Sequence, residues 1–124
     1  MDLEPLIDYL ERENLGTPGV DLFRHFMPSE VEEGILVTVR TAINIDRYLG
    51  YCEGDFQVIA RGKDYDQPRL FMVEVMKAFN QQGLTLGDMY FHYILPKHEP
   101  LLFPKAESDL KEVSVNFEFK FSLV

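Results

Sequence analysis

Val113-Ser114-Val115-Asn116-Phe117-Glu118-Phe119-Lys120-Phe121-Ser122-Leu123 is the stretch whose pattern decides the fold. Apolar and polar residues alternate without a break. In a β-strand successive side chains point to opposite faces, so the valines, phenylalanines and Leu123 line one face and Ser114, Asn116, Glu118, Lys120 and Ser122 the other. Such a strand belongs to an antiparallel sheet with one face packed on a core. Working outward, Met89, Phe91, Tyr93 and Leu95 repeat the alternation, as do Phe56, Val58 and Ala60 against Gln57, Ile59 and Arg61. Ile35, Val37 and Val39 alternate with Leu36, Thr38 and Arg40, in a run rich in β-branched residues. A shorter alternation over Val20 to Met27 is turned by Pro28-Ser29.

Two stretches change period. Leu3, Leu6, Ile7 and Leu10 fall at helical spacing behind a capping Asp2, and Gly16, Pro18 and Gly19 break the pattern. From Asp64 to Gln82, Leu70, Val73, Met76 and Phe79 form a helical stripe widened by Phe71, Met72 and Val75, with Gly83 as its stop. Met72, Met76 and Met89 read as core filler. The order α-β-β-β-α-β-β predicts an α+β fold: a two-layer sandwich of about five mostly antiparallel strands with two helices on one face. Five strands spaced about 4.8 Å make a sheet near 24 Å wide, and two helices about 10 Å across cover one face of it.

The chain's 124 residues, 46% of them hydrophobic, predict one domain over 1–124. With 12 Lys and Arg against 21 Asp and Glu, the net charge of −9 argues against a groove that grips nucleic acid by neutralising phosphates. Leu70-Phe71-Met72-Val73 is the longest apolar run, far short of a membrane span of about 20 residues. The start Met1-Asp2-Leu3-Glu4 lacks the basic segment of an export signal, so a soluble chain in a reducing cytosol is expected, with no membrane partner. Cys52 alone allows neither an intrachain disulfide nor a CxxC motif.

Catalytic patterns are weak. His25, His92 and His98 are scattered, none at the i, i+4 spacing of a helical zinc pair. Asp64 and Asp66 resemble a carboxylate pair, but at a helix start they serve better as caps. Ser29, Ser108, Ser114 and Ser122 lack a nucleophile elbow, Cys52 has no adjacent cation, and Gly50, Gly54, Gly62 and Gly87 make no phosphate loop. No catalytic residue, cofactor or metal is expected.

Other features point to association. With Val37, Val58, Phe91 and Phe117 under the helices, the other sheet face would present Phe23, Met27, Leu36, Ile59, Tyr90 and Ile94 among Arg40, Arg61, His92, Glu118 and Lys120. Apolar groups mixed with both signs of charge are the make-up of a protein interface, so this face is expected to self-associate. Two long connections are unusually apolar. Ile43 to Gly54 holds Tyr48, Leu49, Tyr51 and Cys52, and Pro96 to Asp109 holds Leu101, Leu102 and Phe103 between Pro100 and Pro104. They read as partner-docking loops, the second stiffened by proline.

The order of elements, the run Phe56-Gln57-Val58-Ile59-Ala60-Arg61-Gly62-Lys63-Asp64-Tyr65 leading from strand through polar turn into helix, and Pro100, Asp109 and Val115-Asn116-Phe117-Glu118-Phe119 resemble the tail terminator (tail completion, or minor capsid) proteins of long-tailed bacteriophages. The resemblance spans most of the chain. It implies a small protomer that closes into a ring, commonly a hexamer, in the virion at the head-proximal end of the tail. There it would cap the tail tube, stop its polymerisation and join it to the head-tail connector, assembling in the host cytoplasm. The family has no catalytic residues to carry over. A ring of acidic protomers suits DNA passing through the lumen without binding, because like charges repel. Two readings compete: a head completion or stopper protein of the phage neck, and a small cytosolic α+β enzyme or ligand-binding domain using His25 and His92.

Overall fold

The computed structural model describes residues 1–46, 48–104 and 109–123; Arg47 and residues 105–108, with Ser108, lie outside the described residues, as does Val124. In chain order the elements are α1 (Glu4–Arg12), β1 (Leu22–Arg24), β2 (Gly34–Thr38), β3 (Asn44–Asp46) and β4 (Tyr51–Gly62). They continue with α2 (Asp66–Ala78), β5 (Gln81–Leu86), β6 (Met89–Pro96), β7 (Leu101–Pro104) and β8 (Lys111–Leu123). One sheet runs β1-β2-β4-β8-β6-β5, with β3 also on β4 and β7 also on β8. Among the described strands only β1 pairs in parallel, with β2.

The decisive alternation is the centre of this sheet. Tyr51 to Gly62 of β4 pair with Ser122 to Lys111 of β8 over 12 residues without a shift. Val113, Val115, Phe117, Phe119 and Phe121 turn inward, all at most 4% exposed. Phe56 stacks on Phe117 at 5.2 Å, and Phe79 meets both rings edge-on at 5.2 and 5.5 Å. Leu3, Leu6, Ile7 and Leu10 of the first helical stretch are buried against this core. The Tyr9 hydroxyl donates to the Ala78 carbonyl at 2.9 Å, tying α1 to the end of α2. α1 touches both edge strands, β1 and β5, and so bridges the sheet from edge to edge.

Among the described residues eight strands replace the expected five. β8 is 13 residues long, more than β6 can cover: β6 pairs with Phe117 to Leu123, and β7 resumes along Lys111 to Ser114. Between them the Lys97 N–H donates to the Asn116 carbonyl at 2.8 Å, while the Asn116 N–H donates to His98 Nε2 at 3.2 Å. An imidazole thus replaces the missing strand acceptor, which is why a chain interrupted by Pro96 and Pro100 stays on the sheet. On the opposite edge of β4, β2 and β3 share the partner in the same way. β5 comes from residues assigned to the tail of the second helix and to its glycine stop, because α2 ends at Ala78 and Phe79 turns into the core.

α2 is also rotated relative to expectation. It buries Pro68, Met72, Val75 and Ala78, leaving Leu70 60% and Phe71 40% exposed. Pro68 sets this rotation: a Cβ added to Gly62 would come within 2.8 Å of Pro68 Cδ, so the helix start lies directly on the strand it follows. Asp64 caps it as expected, its Oδ1 accepting from the Asp66 and Gln67 N–H groups at 3.0 and 3.2 Å.

Candidate assembly surfaces

The sheet face away from the helices is less bare than its sequence predicts. Phe26 to Gly34 loop back over it, the Phe26 N–H donating to the Arg24 carbonyl and the Val31 N–H to the Pro28 carbonyl. Met27, Leu36 and Ile59 form a second small core, 5%, 8% and 6% exposed, under Phe23, Val31 and Phe103. The expectation that Met27, Leu36 and Ile59 lie on an open face is therefore corrected, because the chain covers them itself. Arg61 is enclosed with them: its Nε donates to Glu112 Oε2 at 3.0 Å, and its Nη1 to the carbonyls of Pro28 and Val31 at 2.9 and 3.0 Å. Ile94 leaves this face for a different reason. A β-bulge between Phe91 and Tyr93 reverses the alternation of β6, so Ile94 enters the main core beside Phe119 and Tyr93 turns outward opposite Lys120. Of the predicted face, Arg40 is exposed and Phe23 and Tyr90 are half-buried.

The outer face beyond this small core is polar and aromatic. Lys120 Nζ sits 3.7 Å above the Tyr51 ring and 3.7 Å from Glu53 Oε1. His92 meets Tyr90 edge-on at 5.0 Å, and its Nε2 shares a 2.8 Å hydrogen bond with the Ser122 hydroxyl. Burial raises the Tyr93 phenol above its usual range, and Glu118 and Glu53 add to this. Lys97 donates to Asp55 Oδ2 at 3.0 Å, a bond that raises its ammonium pKa.

The two apolar connections leave the sheet at opposite ends. Tyr51 pairs with Ser122 at one end of the β4/β8 pair and Gly62 with Lys111 at the other, about 37 Å away at roughly 3.4 Å per residue. The β3/β4 hairpin tip therefore projects from the first end, while β7 lies along β8 toward the second, with Leu101 opposite Ser114 and Leu102 opposite Val113. At the first, Asp46 Oδ1 accepts from the Tyr48 and Leu49 N–H groups at 2.9 and 2.8 Å, and Gly50 closes the turn at φ 74°. This holds Tyr48 98% and Leu49 67% exposed, beside Ile45 at 72%. Tyr51, expected in the same docking loop, is instead the first residue of β4, held under Lys120. At the second end Leu101 and Leu102 are exposed on β7, while Phe103 folds back onto the small core. Sequence reading passed over Ile45, Val20 and Phe26. The last two flank the β1 edge and are 68% and 70% exposed; alternation placed them on a strand, but β1 is only three residues long and His25 ends it at φ 66°.

Residues weighed for catalysis do not converge. β1, with His25 just past its end, is separated from His92 on β6 by β2, β4 and β8. Among the described residues no three His, Cys, Asp or Glu side chains are grouped to hold a metal ion.

The description "Bacteriophage tail terminator protein" belongs to a family model that matches residues 9–123. A search of curated proteins finds no match. Among solved structures, the fold is similar to a chain from the virion of a native gene transfer agent particle, with a TM-score of 0.66, 11% identity, and 83% of this chain and 79% of that one covered. The family match carries with it a structural role in a phage tail, as a component of the virion that assembles with other tail and head proteins. Spanning every described strand, α2 and the last turn of α1, it identifies the chain as a member of the bacteriophage tail terminator family.

Proposed function

We propose that this protein closes into a ring, six protomers being the family's common number, which caps the tail tube at its head-proximal end, stops its polymerisation and joins it to the head-tail connector. The observation that carries this reading is the pair of exposed apolar clusters, one at the β3/β4 hairpin tip and one on β7 toward the opposite end of the β4/β8 pair. A protomer that links two structures along an axis needs a contact surface at each end. Tyr48, Leu49 and Ile45 supply one, and Leu101 and Leu102 the other. Ring closure needs two different lateral patches. The β1 edge with Val20, Phe26 and Phe23, and the β5 edge with exposed Gln82, Gly83 and Thr85, are such a pair, with Arg40 and Tyr90 at the rim. A net charge of −9 favours passage of DNA through the lumen without adhesion.

The test combines native mass spectrometry and electron microscopy of the purified protein, alone and with tail-tube protein. Rings alone or on tube ends support the proposal. A protomer that stays monomeric on tube ends and leaves tube length unregulated overturns it.

A further inference from the structure

The rotation of α2 leaves an apolar groove that the ring reading does not use. It runs between the end of α1 and the first half of α2, is broad and open to solvent, and has Leu15, Leu70 and Phe71 as its apolar floor. Glu13, Asp64, Asp66 and Glu74 line it, and an adjoining hollow beside Leu15 and Phe71 adds Asp21 and Glu33. On α2, Asp66, Leu70 and Glu74 follow at i, i+4 and i+8, and so make one row with carboxylates either side of an exposed leucine. The nearby cations are few: Arg69 lies 3.8 Å from Asp66, and Lys77 3.3 Å from Glu74.

We propose that this groove docks a basic amphipathic helix of another protein, its apolar face on Leu70 and Phe71 and its Lys or Arg side chains against the carboxylate rim. The chemistry of the rim chooses the occupant. An apolar floor alone would accept any greasy segment, but six surrounding carboxylates reject an acidic one and reward a basic one. A second copy of this chain is a poor candidate, since neither described helix offers a basic face: α1 sets Arg12 against Glu4, Asp8 and Glu11, and on α2 Arg69 and Lys77 each pair with a carboxylate of the same helix. The inference does not rest on ring formation, because the groove lies within one protomer.

The test uses a fluorescein-labelled helical peptide of Leu and Lys, with leucines at i, i+3, i+4 and i+7, and its counterpart with every Lys replaced by Glu. Anisotropy titration against the intact protein is expected to give saturable binding of the Lys peptide only, weakened at least tenfold by the pair Leu70→Ser and Phe71→Ser and by the pair Asp66→Asn and Glu74→Gln. All four side chains are exposed, and circular dichroism checks that the fold is kept. The pair Glu4→Gln and Glu11→Gln on α1 removes the same charge away from the groove and should leave affinity within twofold. Equal loss from that control pair would reveal general attraction to an acidic protein and overturn the proposal. So would unchanged binding in the groove variants, or an oligomer of the peptide-free protein that Leu70→Ser and Phe71→Ser dissolve, since a second copy would then be the occupant.

Discussion

Arg61 and Glu112 pair directly across the register of β4 and β8, their side chains 3.0 Å apart and only 7% and 12% exposed. The same guanidinium holds the Pro28 and Val31 carbonyls, so a single side chain fastens the covering loop to the sheet. Removing it leaves Glu112 facing a closed space without its cation. Arg61→Ala is therefore expected to destabilise by about 3–5 kcal/mol in urea unfolding. Arg61→Met with Glu112→Leu, which removes both charges, should recover most of that loss; a double variant as weak as the single one would contradict the account.

Gly62 makes a steric prediction. Its Cα hydrogen faces Pro68 where a methyl group would meet Cδ at 2.8 Å, and neither the strand nor the proline ring can turn away. Gly62→Ala should cost about 1–3 kcal/mol through overpacking. Gly50→Ala meets no neighbour within 4 Å, and its cost should come only from the positive φ, roughly 1 kcal/mol.

At the first hairpin tip, stability and assembly should separate. Tyr48→Ser with Leu49→Ser removes exposed apolar side chains, so unfolding free energy should move by less than about 0.5 kcal/mol. Capture of the partner at that end should fall at least tenfold in a pull-down with tail-tube and connector proteins offered separately. Asp46→Ala keeps both side chains but releases their two backbone N–H groups, and should weaken the same capture by a smaller factor through lost preorganisation. Loss of neither partner would remove this tip from the assembly.

Alkaline pH should loosen the fold through two tyrosines. Burial foremost, then Glu13, raises the pKa of Tyr9, and burial, then Glu118 and Glu53, that of Tyr93. Unfolded tyrosine ionises near pH 10. Their stabilisation is thus intact below about pH 10 and drains as pH climbs toward the folded values, where the unfolded chain binds fewer protons. Urea midpoints should hold between pH 8 and 9.5 and fall above pH 10. Tyr9→Phe should lower stability by about 1 kcal/mol at pH 8, through the bond lost to Ala78, and flatten the alkaline fall. A profile level to pH 11 would contradict this.

The alternation of residues 113–123 made the central strand legible at once, and with it the inward ring of phenylalanines, because a period of two leaves only one way to bury that face. Leu3, Leu6, Ile7 and Leu10 were legible for the same reason with a helical period. Ile94 was not. A bulge adds one residue to a strand without a compositional mark, and every side chain beyond it changes face. β3 and β7 escaped because they are three and four residues long, too short for periodicity, and exist only by pairing with the overhanging ends of β4 and β8. Leu70 and Phe71 looked like core because an apolar run fixes no rotation; the close seat of Pro68 on Gly62 fixes it, and that contact is visible only in three dimensions. Among the assembly surfaces, the apolar clusters were legible in Tyr48, Leu49, Leu101 and Leu102 themselves. The burial of Met27, Leu36 and Ile59 depended on a loop folding back, which alternation along strands does not encode.

The placement of the two apolar clusters on strands that flank β8 bears on how the protomer carries a load. Tension applied between its two ends pulls β4 and β7 in opposite directions, and β8, paired with both, passes it on through ladders loaded in shear, which cannot open one rung at a time. A protomer gripped at those two clusters acts as a stiff tie, yielding only when many backbone bonds fail together.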